Sequence, residues 1–301
     1  MAWREWPLVA FTLLGQLATG AYLFFVLPAV FAAGQAEGVG GRGPLLYATA
    51  AVIVILGIAA AMSLFHLGRP FRAPNALSNL RTSWLSREIL GELLFLVSLA
   101  LLAVFLWRGR GEGAPETVAA VFAGLFGVFF LVSMTRIYMV PGIPAWNRAA
   151  TPFSFIVATA VLGSLGGLVG GEIAARARGA AAAGDFLQSS SWGRVLAIIA
   201  AALVALSVVG HALLTPRHGV LGRRAAPSLK PDVVPPAVFF ALRLVLLAGC
   251  GVVLLAALRP ALKGGPGGEG GAIFVWIAFG LAVSSELLAR FSFYGLGDGR
   301  R

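Results

Sequence analysis

Hydrophobic residues occur along this chain in eight long, continuous runs, separated by short segments rich in glycine, proline and arginine. Runs of about 20 apolar residues are long enough to cross a hydrocarbon core of about 30 Å as helices. A membrane barrel would instead show alternating polarity along each strand. The pattern predicts an all-α, polytopic bundle of eight transmembrane helices at residues 7–33, 45–65, 86–107, 116–138, 151–174, 192–214, 236–258 and 272–294.

The composition agrees with a membrane protein and leaves no segment for a separate soluble domain. Hydrophobic residues make up 59% of the chain and charged residues 12%, against roughly 45–50% and 25% in soluble domains. The mean hydropathy is +0.90. We therefore expect residues 1–301 to form a single membrane domain.

Basic residues outnumber acidic ones, 23 to 12, which gives a net charge of +11. They are scattered among the loops rather than clustered on one soluble face, which argues against nucleic acid and for contact with membrane lipid. An even number of spans puts both termini on one side, and that side carries more lysine and arginine. The positive-inside rule then favours cytoplasmic termini, although arginines kept for a functional site would bias the same count.

The single cysteine, Cys250, lies inside an apolar run. One cysteine cannot form an internal disulfide, and by itself it cannot hold a zinc ion or an iron–sulfur cluster. We therefore expect no metal or cluster in this chain, and any metal redox chemistry to belong to a partner.

The densest polar segment joins the second predicted helix to the third. His66 ends the second helix, and Glu88 is predicted in the first turn of the third, with Ser86 as its N-cap. The helix dipole favours a carboxylate there by about 0.3–1 kcal/mol, so capping is one explanation of Glu88. Glu92 lies one turn deeper on the same face, which capping does not explain.

Other polar side chains are predicted at the same membrane face. A charge at the bilayer centre costs about 2.5–3.5 kcal/mol on insertion scales, so their convergence indicates a site. Gln16 and Arg243 can instead form interhelical hydrogen bonds, and Arg243 can extend to the interface. Glu286 and Arg290 are spaced as an i,i+4 pair that faces inward. The second tier of candidates is Gln16, Arg69, Arg72, Arg136, Glu286 and Arg290.

Oxidation of a quinol needs acceptors for two hydroxyl protons and an electron acceptor nearby. Histidine and carboxylate are suitable proton acceptors, and arginine stabilises negative charge that develops on a quinol oxygen. His66 and Glu88 supply that set, and we predict them to be the catalytic pair.

Two other functions stay open on these residues. A haem b cytochrome subunit needs two histidine ligands facing one cavity, and His66 and His211 are both predicted on the terminus side. A secondary transporter suits glycine-interrupted helices with intramembrane charges. Against a transporter, the charges lie at one face rather than the midplane, and the halves show no convincing sequence repeat.

Short motifs that run in order from the first helix to the last bear on this choice. They are Glu5-Trp6-Pro7-Leu8, Phe11-Thr12 with Gly15-Gln16, Ser63-Leu64-Phe65-His66-Leu67-Gly68, Arg72-Ala73, Asn75, Leu85-Ser86, Glu88-Ile89, Arg136-Ile137-Tyr138, Pro144-Ala145-Trp146, and Glu286 with Arg290 and Phe293-Tyr294-Gly295. Together they resemble the membrane anchor subunits of dimethyl sulfoxide reductase, the DmsC family. Arg4 departs from the pattern, because a histidine is usual before Glu-Trp-Pro-Leu.

The resemblance implies eight helices without haem or cluster, in the bacterial cytoplasmic (inner) membrane. It also implies that the chain oxidises menaquinol to menaquinone in anaerobic respiration, as a subunit without the catalytic centre. Electrons would pass to an iron–sulfur subunit and then to a molybdopterin-containing catalytic subunit. The functional histidine and glutamate of the family correspond to His66 and Glu88. Arg69, Arg72 and Arg136 are expected to tune the quinone or bind the partner.

Overall fold

The computed structural model describes residues 6–32, 42–65, 77–109, 114–144, 146–177, 186–214, 236–263 and 270–297, and within these ranges it has helices and no strand. Eight of the helices are long and apolar enough to cross a membrane. This confirms the predicted all-α, eight-span bundle. The spanning helices are α1 Trp6–Ala32, α2 Arg42–Phe65, α3 Trp84–Arg108, α4 Ala114–Tyr138, α5 Ala150–Ala177, α6 Ser191–Leu214, α7 Pro236–Lys263 and α8 Gly270–Gly297.

The start of α3 differs from the prediction in a way that matters for Glu88. Ser83, not Ser86, is the N-cap, and its hydroxyl accepts a hydrogen bond from the backbone N–H of Ser86 at 3.2 Å. The prediction was wrong because Ser83 offers the same hydroxyl acceptor nearly one turn earlier. The first turn of α3 therefore contains no acidic residue, and the helix dipole no longer explains Glu88.

The middle of α1 departs from α geometry, because Tyr22–Val26 form a π turn. Tyr22 is buried, and its hydroxyl donates to the carbonyl of Ala120 in α4 at 2.6 Å. Phe25 packs in the other direction, against Gly167 of α5. Single π turns insert one residue into a helix and re-aim the side chains around it. Here the turn lets α1 contact both α4 and α5.

The eight helices pack as two halves, α1–α4 and α5–α8. In each half every helix contacts its neighbour in sequence, and the first helix also contacts the fourth, as in an up-and-down bundle. The halves meet mainly through α1 and α5, which are the two most buried spans. The helices α1 and α5 therefore form a central pair, and the other six spanning helices pack around it.

Two glycines make the contact between α1 and α5 possible. A Cβ on Gly20 would lie 2.7 Å from the Cα of Gly163, and a Cβ on Gly163 would collide with the backbone of Gly20. Between helices in lipid, where no hydrophobic force draws them together, close backbone packing of this kind supplies the attraction.

Candidate functional site

Polar side chains are buried together at one end of the bundle. Successive spans run in opposite directions, so the starts of α1, α3, α5 and α7 and the ends of α2, α4, α6 and α8 share this end, which we call the terminal end. Buried polar residues there come from both halves of the bundle, and they include Thr12, Gln16, Glu88, Glu92, Tyr138, His211, Arg243, Glu286, Arg290 and Tyr294.

Glu88 and Glu92 lie one turn apart on α3 and face the interior. Glu88 is 4% exposed and Glu92 is 7% exposed. In the described part of the chain, the Oε1 atom of each has no hydrogen-bond partner. A buried polar atom without a partner costs about 1–3 kcal/mol, and more when it is charged. Two such carboxylates on one face are therefore better explained by binding of a ligand, a water molecule or a proton than by a role in helix packing.

A pair of tyrosines lies next to Glu88. The hydroxyl oxygens of Tyr138, at the end of α4, and Tyr294, near the end of α8, are 2.8 Å apart. The hydroxyl of Tyr294 also lies 3.4 Å from that of Thr12 in α1. Both tyrosines are close enough to Glu88 to interact with it electrostatically. Residues from four helices therefore form one hydroxyl and carboxyl cluster.

Aromatic rings surround this cluster. Trp146 and Phe293 are stacked with centroids 5.3 Å apart, and the Trp146 indole N–H donates to the carbonyl of Phe293 at 2.9 Å. The ring of Tyr138 contacts both of them, as well as Phe155 and Tyr294. Edge-to-face and stacked contacts of this kind stabilise by about 0.5–1.5 kcal/mol each beyond burial. The rings hold the ends of α4 and α8 against the start of α5.

Arg290 is buried without a carboxylate partner in the described ranges. It is 1% exposed, and its Nη2 donates to the side-chain oxygen of Gln16 at 2.9 Å. Its guanidinium carbon lies 3.7 Å from the centre of the Phe155 ring. Gln16 in turn donates to the carbonyl of Phe155 at 3.2 Å. Gln16 therefore forms the predicted interhelical bonds, and Arg290 brings a positive charge beside the tyrosines.

Glu286 forms its ion pair with a different residue from the one its spacing suggested. Its carboxylate oxygens lie 3.0 and 3.3 Å from Nη2 of Arg243 in α7, and both residues are buried. The i,i+4 pairing with Arg290 is therefore wrong, because α7 and α8 pack along their length and present Arg243 at the depth of Glu286. The alternative in which Arg243 extends to the interface is wrong for the same reason.

His211 is also buried, in α6. The sequence suggested only that it could be a haem ligand. Its Nδ1 lies 2.7 Å from the carbonyl of Ser207, and its ring packs edge-on against Phe153. It interacts electrostatically with Arg243, Glu286 and Arg290. A sequence feature that could have indicated this environment is an intramembrane histidine one turn from a serine, on the helix next to the one that carries Arg243.

Arg136 does not join the buried cluster. It is exposed, and its guanidinium carbon lies 5.2 Å from the centre of the Trp84 ring. Arg87 lies over the same ring at 4.2 Å. These three residues form a basic, aromatic surface beside the buried Glu88, at the terminal end of α3 and α4.

Three predicted residues, His66, Arg69 and Arg72, lie outside the described residues. The described part of α2 ends at Phe65, and α2 packs against α3. Among the described ranges, no three histidine, cysteine or acidic side chains are grouped so that they could hold a metal ion.

Comparison with known proteins gives a consistent result over nearly the whole chain. Residues 1–296 match the family described as "DMSO reductase anchor subunit (DmsC)". The C subunit of the anaerobic dimethyl sulfoxide reductase of Escherichia coli K12 is 30% identical over 98% of this chain and 95% of that protein. The anaerobic dimethyl sulfoxide reductase subunit YnfH of the same organism is 29% identical over the same shares. No solved structure matches the sequence.

A further relative is similar over a shorter stretch. The C subunit of the anaerobic dimethyl sulfoxide reductase of Haemophilus influenzae is 34% identical over 165 residues. That alignment covers 54% of this chain and 56% of the relative. The full-length similarity therefore rests on the Escherichia coli proteins and the family match.

Proposed function

The protein belongs to the family of dimethyl sulfoxide reductase anchor subunits, and we propose that it oxidises menaquinol in the bacterial cytoplasmic membrane. In this proposal an iron–sulfur subunit accepts the electrons and passes them to a molybdopterin-containing catalytic subunit. The observation that carries the proposal is the buried carboxylate of Glu88 near tyrosine hydroxyls and aromatic rings, with an Oε1 atom that has no hydrogen-bond partner among the described residues.

The residues around Glu88 fit the chemistry of a quinol headgroup. Menaquinol is a flat aromatic ring system with two hydroxyl groups, so its site needs aromatic walls and polar groups at the ring edge. Tyr138, Tyr294 and Trp146 supply rings, and the tyrosine hydroxyls can exchange hydrogen bonds with a quinol oxygen. The free oxygen of Glu88 can accept a quinol proton.

Oxidation of menaquinol releases two protons and two electrons. Glu88 accepts one hydroxyl proton, and Glu92, one turn deeper, is placed to take it onward, directly or through water. Arg290 stabilises the negative charge that develops on the quinol oxygen, since in the described ranges no carboxylate neutralises it. The electrons leave to the cluster of the docked iron–sulfur subunit, which supplies the metal redox chemistry.

The remaining predicted residues take two further roles in the proposal. His66 follows the described end of α2 directly, and we expect it to accept the second quinol proton. Arg69, Arg72 and Arg136 are expected to bind the iron–sulfur subunit. The exposed position of Arg136 over Trp84 supports docking for that residue rather than contact with the quinol.

The geometry of His211 gives the haem b alternative no support in the described part of the chain. The contacts of the His211 ring in that part are with Ser207, whose carbonyl lies 2.7 Å from Nδ1, and with the ring of Phe153. No observation in the described part of the chain favours the transporter alternative either.

The test is to compare two electron donors in membranes that contain the assembled complex with Glu88→Gln. A quinol donor must use this subunit, whereas a reduced dye can feed the partner subunits directly. We expect quinol-dependent sulfoxide reduction to fall at least about 100-fold, as for loss of a proton-transfer group, with dye-dependent activity unchanged. His66→Ala should show the same pattern.

Glu116→Gln is the matched control, because Glu116 lies at the opposite end of the bundle and pairs there with Arg42 at 3.8 Å. It should keep both activities. A parental rate with the quinol donor in assembled Glu88→Gln complex would sink the proposal.

A further inference from the structure

A shallow groove of about 430 Å³ lies between α6 and α7, at the end of the bundle opposite the candidate site. Its lining combines an apolar wall with two positive charges at one end. The apolar side chains come from both helices, and the charges come from the last two turns of α7. The lining residues are Ile198, Ala201, Leu255, Leu258, Arg259, Leu262 and Lys263.

The apolar wall of the groove faces the membrane. Leu255 and Leu262 are 58% and 63% exposed, so they contact hydrocarbon rather than the protein core. On α6, Ala201 has a short side chain where its neighbours in the wall are leucine and isoleucine. The groove is therefore an apolar, lipid-facing surface against which a hydrocarbon chain can pack.

The two cations are placed at the membrane surface. Arg259 and Lys263 are spaced i,i+4, so they project from one face of α7, and Lys263 is the last residue of the helix. Both side chains are exposed, and in the part of the chain that the structure describes neither forms an ion pair. Two adjacent positive charges without a neutralising carboxylate attract an anion.

We propose that this groove binds an anionic phospholipid, with its phosphate between Arg259 and Lys263 and an acyl chain along the apolar wall. A phospholipid matches both halves of the lining, since its charged headgroup stays at the surface while its acyl tail enters the hydrocarbon. The guanidinium of Arg259 can hold two phosphate oxygens, and Lys263 adds a point charge. A soluble anion has no acyl chain and would not contact the apolar wall.

The lipid would join α6 to α7 at the end of the bundle that lies away from their buried charges. The buried Arg243–Glu286 ion pair joins α7 to α8 in the same half of the bundle. The proposal is independent of quinol oxidation, because the groove and the candidate site lie at opposite ends of the bundle.

The test is native mass spectrometry of the full-length protein, purified in mild detergent after reconstitution into vesicles of equal parts phosphatidylglycerol and phosphatidylethanolamine. We expect one phosphatidylglycerol to be retained in preference to phosphatidylethanolamine. Arg259→Gln combined with Lys263→Gln should lower that retention roughly 30-fold, given the usual attraction of two basic residues for an anionic membrane. Ala201→Phe should lower retention of the lipid without changing any charge, because the ring fills the groove.

Arg108→Gln combined with Arg176→Gln is the matched control. It removes two arginines from the last turns of α3 and α5, at the same end of the bundle but outside the groove. Retention should stay at the parental level. Equal retention of the two lipids, undiminished retention in the groove variants, or an equal loss in the control would each overturn the proposal.

Discussion

Two groups of buried charges at the terminal end differ in how their charges are satisfied. In the half formed by α5–α8, Glu286 and Arg243 form an ion pair at 3.0 Å, and the buried Arg290 donates a hydrogen bond to Gln16. In the half formed by α1–α4, Glu88 and Glu92 each keep an oxygen without a hydrogen-bond partner among the described residues. A buried ion pair neutralises its own charges, whereas a buried carboxylate oxygen without a partner marks a candidate functional group. The contrast agrees with the proposal, in which the first group is structural and Glu88 and Glu92 take part in quinol oxidation.

The largest expected effect comes from breaking the ion pair. Arg243→Leu leaves Glu286 as an uncompensated charge among buried residues, and we expect a loss of about 3–5 kcal/mol in the free energy of unfolding. Thermal unfolding in detergent and the amount of assembled complex in membranes measure it.

The double variant Arg243→Leu with Glu286→Leu supplies the control for that result. Removing both charges also removes the unpaired one, so the double variant should be more stable than Arg243→Leu alone. If the double variant lost as much stability as the sum of the two single ones, the pair would not act as a unit.

The next largest effect distinguishes the roles of the two carboxylates, Glu88 and Glu92. Glu92→Gln should lower quinol-dependent activity less than Glu88→Gln does, on the order of tenfold, or about 1.4 kcal/mol in the activation free energy. The reason is position, since Glu88 lies beside the tyrosine pair and Glu92 one turn further from it. Steady-state rates with quinol and with dye, at equal amounts of assembled complex, distinguish the two variants. A larger loss for Glu92→Gln would reverse the assignment.

The smallest effect concerns the tyrosine pair. Tyr294→Phe removes the hydroxyl that lies 2.8 Å from that of Tyr138 and keeps the ring. We expect a loss of about 0.5–1.5 kcal/mol in stability. In the proposed site it should also raise the KM for quinol while leaving dye-dependent activity unchanged. Thr12→Val is the comparison, because it removes the longer 3.4 Å contact with Tyr294 and two hydrogen bonds to carbonyls of its own helix but leaves the tyrosine pair intact. It should leave the KM nearer the parental value.

The number and type of the helices could be predicted because eight long apolar runs satisfy a simple length requirement. The i,i+4 spacing of Glu88 and Glu92 predicted that they share one face of α3, and the structure shows that this face is buried. The N-cap of α3 could not be placed with certainty, because Ser83 and Ser86 are both suitable and hydropathy does not separate them. That single difference removed the capping explanation of Glu88.

The partners of the charges were harder to predict, because hydropathy does not give the rotation of one helix against the next. Spacing within α8 suggested that Glu286 faces Arg290, whereas packing brings Arg243 of α7 to it. Arg136 ends α4 at the right depth but points to the exposed side of Trp84. The role of His66 stays a prediction, since it lies outside the described residues.

The glycine contact between α1 and α5 sets the spacing of the site. Gln16 lies one turn from Gly20, and Phe155 lies two turns from Gly163. The Gln16–Phe155 hydrogen bond, and Arg290 bound to Gln16, are therefore close to the point where the two helices cross. Any side chain at the crossing would separate the helices and stretch that bond. Contact of backbone with backbone therefore fixes the distance between α1 and α5, and with it the separation of the two halves at the crossing.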